Sequence, residues 1–304
     1  LMFLRIDKLQ IDMPVPKNPD PKAAAAVQEL MGGRFGEMST LMNYMFQSYN
    51  FRNKEKLRPY YALISNIATE ELGHVELIAA AVNGCMYGQE PQGDMTKGDA
   101  SFAHVLNTFP NLHSHIAFPH GAMPSNSMGQ PWTGDYVFNS GNLVLDLLHN
   151  FFLENGARTH KLRVYQMTDN PAARQMLGYL FTRGGVHARA YALALEKLTG
   201  VQMAKMLPIP AVDDIELPES RKYMEEGWHR RLYRFTPKDS KDYMEMAGIW
   251  NGQHPDGGDL EVVDGPPQGG DMNDYEGISE AFTPEYKPEE IFEMATKLYE
   301  KAKG

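Results

Sequence analysis

Helical spacing of apolar residues runs through the first two thirds of the chain and lapses in only a few places. Pro19-Asp20-Pro21 leads into Ala23-Ala24-Ala25-Ala26, and no proline interrupts the helix-forming run from there to about Phe51. A second run goes from about Leu57 to Tyr87, with Pro59 tolerable in its first turn. Between Gly88 and Gly134 the chain is rich in Gly, Pro, Asn, Ser and His, and no periodicity lasts. Helical spacing returns from about Asp135 to Met167. Thr168-Asp169-Asn170-Pro171 then reads as a stop and restart, with Asn170 an N-cap and Pro171 in the first helical position. The fourth run closes at Thr199-Gly200.

Four rods in two pairs, each pair joined by a short link and the pairs by one long crossover, predict an all-α ferritin-like four-helix bundle. The expected organisation is an N-terminal arm over residues 1–22, the bundle over 23–200 with its crossover at 88–134, and a loop-rich extension over 201–304. Phe3–Ile11 reads as a strand or extended arm, Glu261-Val262-Val263 as a small strand, and about Pro288 to Lys303 as a last helix. The extension is cut up by Pro and Gly and lacks an obvious core, so it is expected to wrap the bundle or a neighbouring subunit.

The chemistry lies where polar residues interrupt apolar stripes. Steps of three and four along the second rod give Tyr60, Ile64, Ile67, Glu71, His74 and Ile78, all on one face. Glu70 lies about 100° round the helix and is expected at the rim. The first rod gives Leu30, Gly33, Glu37, Leu41 and Tyr44. The third gives Leu143, Leu147, Asn150, Glu154, Ala157 and Lys161, and the fourth Leu180, Gly184, His187, Tyr191 and Ala194. Each rod therefore carries a carboxylate or imidazole in the middle of its buried stripe. Unpaired carboxylates in a core cost several kcal/mol each, and a pair of divalent cations would neutralise Glu37, Glu71 and Glu154. Tyr44 and Lys161, each seven residues beyond a glutamate, share that glutamate's face and are candidates to orient a ligand carboxylate and to handle protons.

Composition narrows the class. With 29 Lys+Arg against 39 Asp+Glu the net charge is −10, which disfavours holding nucleic acid or anionic membranes by charge. No stretch approaches the roughly 20 apolar residues of a membrane span. The one cysteine, Cys85, cannot form an internal disulfide and fits a reducing, cytoplasmic setting; it reads as a small buried hydrophobe.

The same residues resemble the manganese catalase family. The matching stretches are Gly32-Gly33-Arg34-Phe35-Gly36-Glu37-Met38-Ser39-Thr40, Ala68-Thr69-Glu70-Glu71-Leu72-Gly73-His74, Asp146-Leu147-Leu148-His149-Asn150-Phe151-Phe152-Leu153-Glu154, Arg183-Gly184-Gly185-Val186-His187 and Val262-Val263-Asp264-Gly265-Pro266-Pro267. The resemblance implies a homohexamer in which two manganese ions per chain, bridged by solvent, convert hydrogen peroxide to water and dioxygen by cycling between Mn(II)2 and Mn(III)2. It implies Glu37 and His74 on one ion, Glu154 and His187 on the other, and Glu71 between them. Oxygen and imidazole donors suit manganese.

Two departures accompany the likeness. Position 184, where some relatives carry a proton-relaying glutamate, is glycine, which either leaves room for substrate beside His187 or allows close packing. Ala62 stands where the family often has an acidic ligand for a structural calcium, which puts calcium in doubt. Other classes use the same bundle: a di-iron oxidase, against which Gly184 counts, and an iron-storage shell, which needs no long tail. His104, His113, His115 and His120 crowd the crossover and read as a loop at a subunit contact or channel mouth rather than a second metal site.

Overall fold

The computed structural model describes residues 8–88, 121–207, 217–237, 240–273 and 288–303. Most of the crossover, with its four histidines, and the start of the N-terminal arm lie outside the described residues.

The first rod is two helices, α1 (Pro21–Gly32) and α2 (Glu37–Tyr49), instead of one uninterrupted run from 23 to 51. Asp20 caps α1 by accepting from the amide of Ala23. The break comes at Gly33 and Gly36, both extended, with ψ 164° and 171°. Periodicity passes through unchanged because Glu37, Leu41 and Tyr44 keep their common face on the new helix. Neither glycine has room for a side chain: a Cβ would lie 2.4 Å from Glu29 O at Gly33 and 2.6 Å from Leu30 O at Gly36. Gly36→Ala must therefore shift the start of α2, and with it Glu37. Overpacking of this kind costs about 1–3 kcal/mol, which urea unfolding of the variant should reveal as a lower midpoint.

Helix α3 (Arg58–Tyr87) is the central rod, packed against α1, α2 and the later helix over Pro171–Thr199. Helix α4 (Leu143–Met167) begins eight residues later than its spacing suggests, because Asn142 supplies the cap to the amides of Val144 and Leu145. Residues before it make only a turn of 3-10 helix, Gly134–Tyr136, and then bind α2: the Phe138 amide donates to Asn43 Oδ1 at 2.6 Å, and Gln47 Nε2 donates to the Phe138 carbonyl at 3.0 Å. Helix α5 (Pro171–Thr199) has the expected boundaries, capped by Asn170 and closed by Gly200 at φ 76°. It packs along α4.

The extension folds back on the bundle. It contains α6 (Arg221–Glu225), β1 (Arg231–Arg234), α7 (Asp242–Ala247) and β2 (Glu261–Asp264), with β1 and β2 parallel in the register Arg231–Glu261 to Arg234–Asp264. Arg58 Nη2 pairs with Asp242 Oδ1 at 2.9 Å, and Asn66 Oδ1 accepts from the Phe235 amide, so α3 carries the extension on its outer side. The N-terminal segment crosses here too. The Leu9 amide donates to Gly270 O, and Gln10 sits directly over Gly73, where a Cβ would meet Gln10 Nε2. Helix α8 (Pro288–Lys303) exposes its apolar residues, Phe292 and Leu298 among them. Among the described residues no helix is long and apolar enough to cross a membrane.

Candidate metal centre

Each rod delivers its acid or imidazole to one buried point. Glu37 opens α2, Glu71 and His74 lie a turn apart in the middle of α3, Glu154 is mid-α4, and His187 is mid-α5; all five are buried. Their ligating atoms form two triads, Glu37–Glu71–His74 and Glu71–Glu154–His187, each with atoms within 4.8 Å of one another. Glu71 belongs to both. Its Oε2 is 3.0 Å from His74 Nδ1 and its Oε1 is 2.8 Å from His187 Nδ1. His187 Nδ1 is also 3.4 Å from Glu154 Oε1, and His74 Nδ1 is 3.6 Å from Glu37 Oε2. The two imidazoles stack, their centroids 5.6 Å apart and their planes 22° from parallel.

Around the triads stands a shell of partners. Lys161 is a buried lysine, its Nζ 2.6 Å from Glu37 Oε1. Tyr44 donates its hydroxyl to Glu154 Oε1 at 2.6 Å. Thr40 Oγ1 lies 3.0 Å from Glu71 Oε2 and 3.2 Å from Glu37 Oε2. Glu70, expected at the rim, is buried instead and faces both imidazoles: Oε1 is 3.4 Å from His74 Nε2, and Oε2 is 3.0 Å from His187 Nε2. Arg183 grips it from α5 with Nε and Nη2 at 2.6 and 3.1 Å, and donates Nη1 to the carbonyls of Trp228 and Arg231 at 2.7 Å each. Glu70 lies off the stripe, but α3 is covered on that side as well, by α5 and the extension. The one sequence signal was Arg183, a cation on α5 four residues before His187.

The room that Gly184 and Gly185 leave beside His187 is taken by the neighbouring helix. A Cβ at Gly184 would lie 3.0 Å from Arg158 Cγ, and the Arg158 guanidinium sits 4.3 Å from the Phe181 ring centroid. Close packing is thus the role of this pair. Cys85 is fully buried, which pushes its thiol up to about 12 and leaves it inert.

Electrostatics fit a cation site. Burial disfavours the ionised form of Glu37, yet the Lys161 ammonium and hydrogen bonds from His74 and Glu71 hold its carboxyl well below the usual range. Glu71 is pushed up, first by burial and then by the charges of Glu37 and Glu154, despite the imidazoles beside it. Burial works against a charged His187, but Glu70 and Glu154 raise it well above an ordinary imidazole. Burial and the Glu154 charge raise the Tyr44 phenol. The carboxylates around the two imidazoles thus favour positive charge at this point. His74 Nδ1 hydrogen-bonds Glu71 Oε2 at 3.0 Å, but both nitrogens of His187 and Nε2 of His74 are buried without a hydrogen bond despite the short distances. Three carboxylates and two imidazole nitrogens converging on a buried point with unmet polar atoms fit two divalent cations of the oxygen- and nitrogen-loving kind.

A carboxylate–imidazole cluster held between rods of a ferritin-like bundle defines the class. Comparison with known proteins narrows it. The profile of the manganese-containing catalases matches residues 2–304, and the chain belongs to that family. It is 38% identical over 184 residues to the manganese catalase of Bacillus subtilis, spanning 60% of this chain and 66% of that one. It is 34% identical over 200 residues to the manganese catalase of Lactiplantibacillus plantarum, spanning 65% and 72%. Among solved structures, KatB, a manganese catalase from Anabaena PCC7120, shares the fold with a TM-score of 0.55 at 20% identity, over 87% of this chain and 100% of that one.

Proposed function

We propose that this chain is a non-haem manganese catalase that disproportionates hydrogen peroxide to water and dioxygen at a dinuclear manganese centre. The observation that carries the reading is Glu71, one carboxylate shared by two triads on four different helices. Glu37 and His74 would hold one ion, Glu154 and His187 the other, and Glu71 both. Two manganese ions bound there would give and take the electrons of the reaction, between Mn(II)2 and Mn(III)2. The chain does the rest. Glu70, seated by Arg183, sets a carboxylate oxygen opposite the outer nitrogen of each imidazole, at 3.4 and 3.0 Å, the acceptor that would orient both rings once their inner nitrogens bind metal. Tyr44 holds Glu154 in place through its hydroxyl. Among the described residues, Lys161 is the buried ammonium that faces the triads through Glu37, placed to bind a peroxide anion and to give and take its proton.

Burial works against the ammonium form of Lys161, but Glu37, Glu154 and Glu71 outweigh it and push this group up, so it is charged at neutral pH. Lys161→Ala is expected to keep both metals and to slow dioxygen release by about 100-fold or more, the scale of a lost general acid–base group. A variant with normal turnover would remove the lysine from the mechanism. No calcium enters the proposal, because Ala62 has no side-chain oxygen and its carbonyl already accepts from Asn66. A cytoplasmic homohexamer is part of the same reading, supported by the apolar residues that α8 leaves exposed in one copy.

The deciding experiment measures the metal content of the purified protein together with gas release from peroxide. About two manganese per chain and rapid dioxygen release are expected, as for a two-metal site. Iron with no gas would overturn the reading in favour of an oxidase or a storage shell.

A further inference from the structure

The extension assembles a second group of ligating side chains, well apart from the bundle centre in sequence. His229 sits in the 3-10 turn Trp228–Arg230, and its side chain is only 10% exposed. Facing it is the loop between α7 and β2, closed by hydrogen bonds from the amide of His254 to Gly258 O and from the amide of Gly257 to His254 O, each 2.8 Å. Gly257 takes φ 89°, a left-handed conformation that turns the loop back toward His229. The result puts His229 Nε2 2.6 Å from Asp256 Oδ2 and His254 Nδ1 3.1 Å from Asp256 Oδ1, with one ligating atom from each of the three within 4.8 Å of the others. The two imidazole rings meet edge to face at 4.8 Å.

We propose that His229, His254 and Asp256 form a second metal site, one that takes a divalent transition metal of the zinc type and staples the 253–259 loop to the Trp228–Arg230 turn. Two imidazoles and one carboxylate with a position left for water are a ligand set that zinc uses. The outer nitrogen of His229 and the inner nitrogen of His254 flank the two oxygens of the same carboxylate, so the three donors already face one point. The Gly258 amide, 2.9 Å from Asp256 Oδ1, orients the carboxylate. Charge selects the metal. With one carboxylate, and Arg230 Nη1 only 3.7 Å from it, the site is poor in negative charge and unsuited to calcium or magnesium, which need several oxygen ligands. Imidazole donors favour zinc over manganese by the usual affinity order. The proposal therefore puts a different metal here from the one at the bundle centre, and it does not depend on what that centre does.

The test uses the full chain purified in its manganese-loaded state. It is equilibrated with roughly 10 µM free zinc chloride, a demand for micromolar affinity, then desalted and analysed for both metals. About one zinc per chain is expected in addition to undiminished manganese, with a melting temperature raised by several degrees. His254→Ala and Asp256→Asn, both on a surface loop, should lose the zinc and its thermal shift while keeping their manganese. Cobalt(II) in place of zinc should give visible bands in the parent and none in either variant. Absence of bound zinc overturns the proposal. So does zinc gained only at the expense of manganese, or zinc kept equally by both variants.

Discussion

Glu71→Ala is expected to strip both metal positions at once. Glu71 is the one side chain common to the two triads, with one carboxylate oxygen near His74 and the other near His187. On the proposed assignment, losing it would remove a ligand from each ion and the one carboxylate that, among the described residues, belongs to both triads. Metal content should fall from about two manganese per chain toward none, and dioxygen release by about 100-fold or more, the upper end of what even an outer partner costs. Glu154→Ala, by contrast, touches a single triad and should spare the ion held by Glu37 and His74. Unfolding would be a trivial cause, and it can be separated. In the metal-free protein Glu71 is already pushed toward its neutral form by burial and by Glu37 and Glu154. The chelated variant should then melt close to the chelated parent. Retention of one manganese per chain by Glu71→Ala would mean that the carboxylate is not shared.

The largest effect on stability is expected at Arg183. Its guanidinium is fully buried, bonded twice to Glu70 and twice to backbone carbonyls, with its Cζ 3.8 Å from the centroid of the Tyr233 ring. Arg183→Met leaves the Glu70 carboxylate buried without its cation, a change that costs about 3–5 kcal/mol and should lower the melting temperature by about 5–8 °C in a chain of this length. Adding Glu70→Gln to that variant removes the stranded charge and should recover part of the loss. If the double variant is instead less stable by the sum of the two single losses, the two residues are not coupled. Activity should not recover with stability, because Glu70→Gln leaves a neutral amide where His74 and His187 had faced a carboxylate.

What the sequence disclosed, and what it hid, follows from local against distant causes. Helix α5 could be bounded to the residue because Asn170, Pro171 and Gly200 act on their own neighbours. The five residues that meet at the centre could be chosen because each interrupts an apolar stripe at helical spacing, a pattern internal to one rod. The break between α1 and α2 was hidden by that same pattern: Leu30, Glu37, Leu41 and Tyr44 keep an unbroken rhythm across it, and no proline marks the stop. Glu70 was hidden for another reason. Its burial is caused by Arg183, more than a hundred residues away, and by the carbonyls of Trp228 and Arg231 in a tail that reads as loop. Strand β1 fared no better, since Arg-Leu-Tyr-Arg becomes a strand through its pairing with β2.

Because Trp228 and Arg231 seat the arginine that seats Glu70, the four rods are not a portable module. A miniature catalyst made by transplanting only residues 21–199 would still contain every inward-facing glutamate and histidine, yet Arg183 would lose two of its four bonds and swing free on one side. Engineers who want a smaller enzyme should carry the short stretch around residue 230 along with the helices, or redesign the acid–arginine couple before cutting.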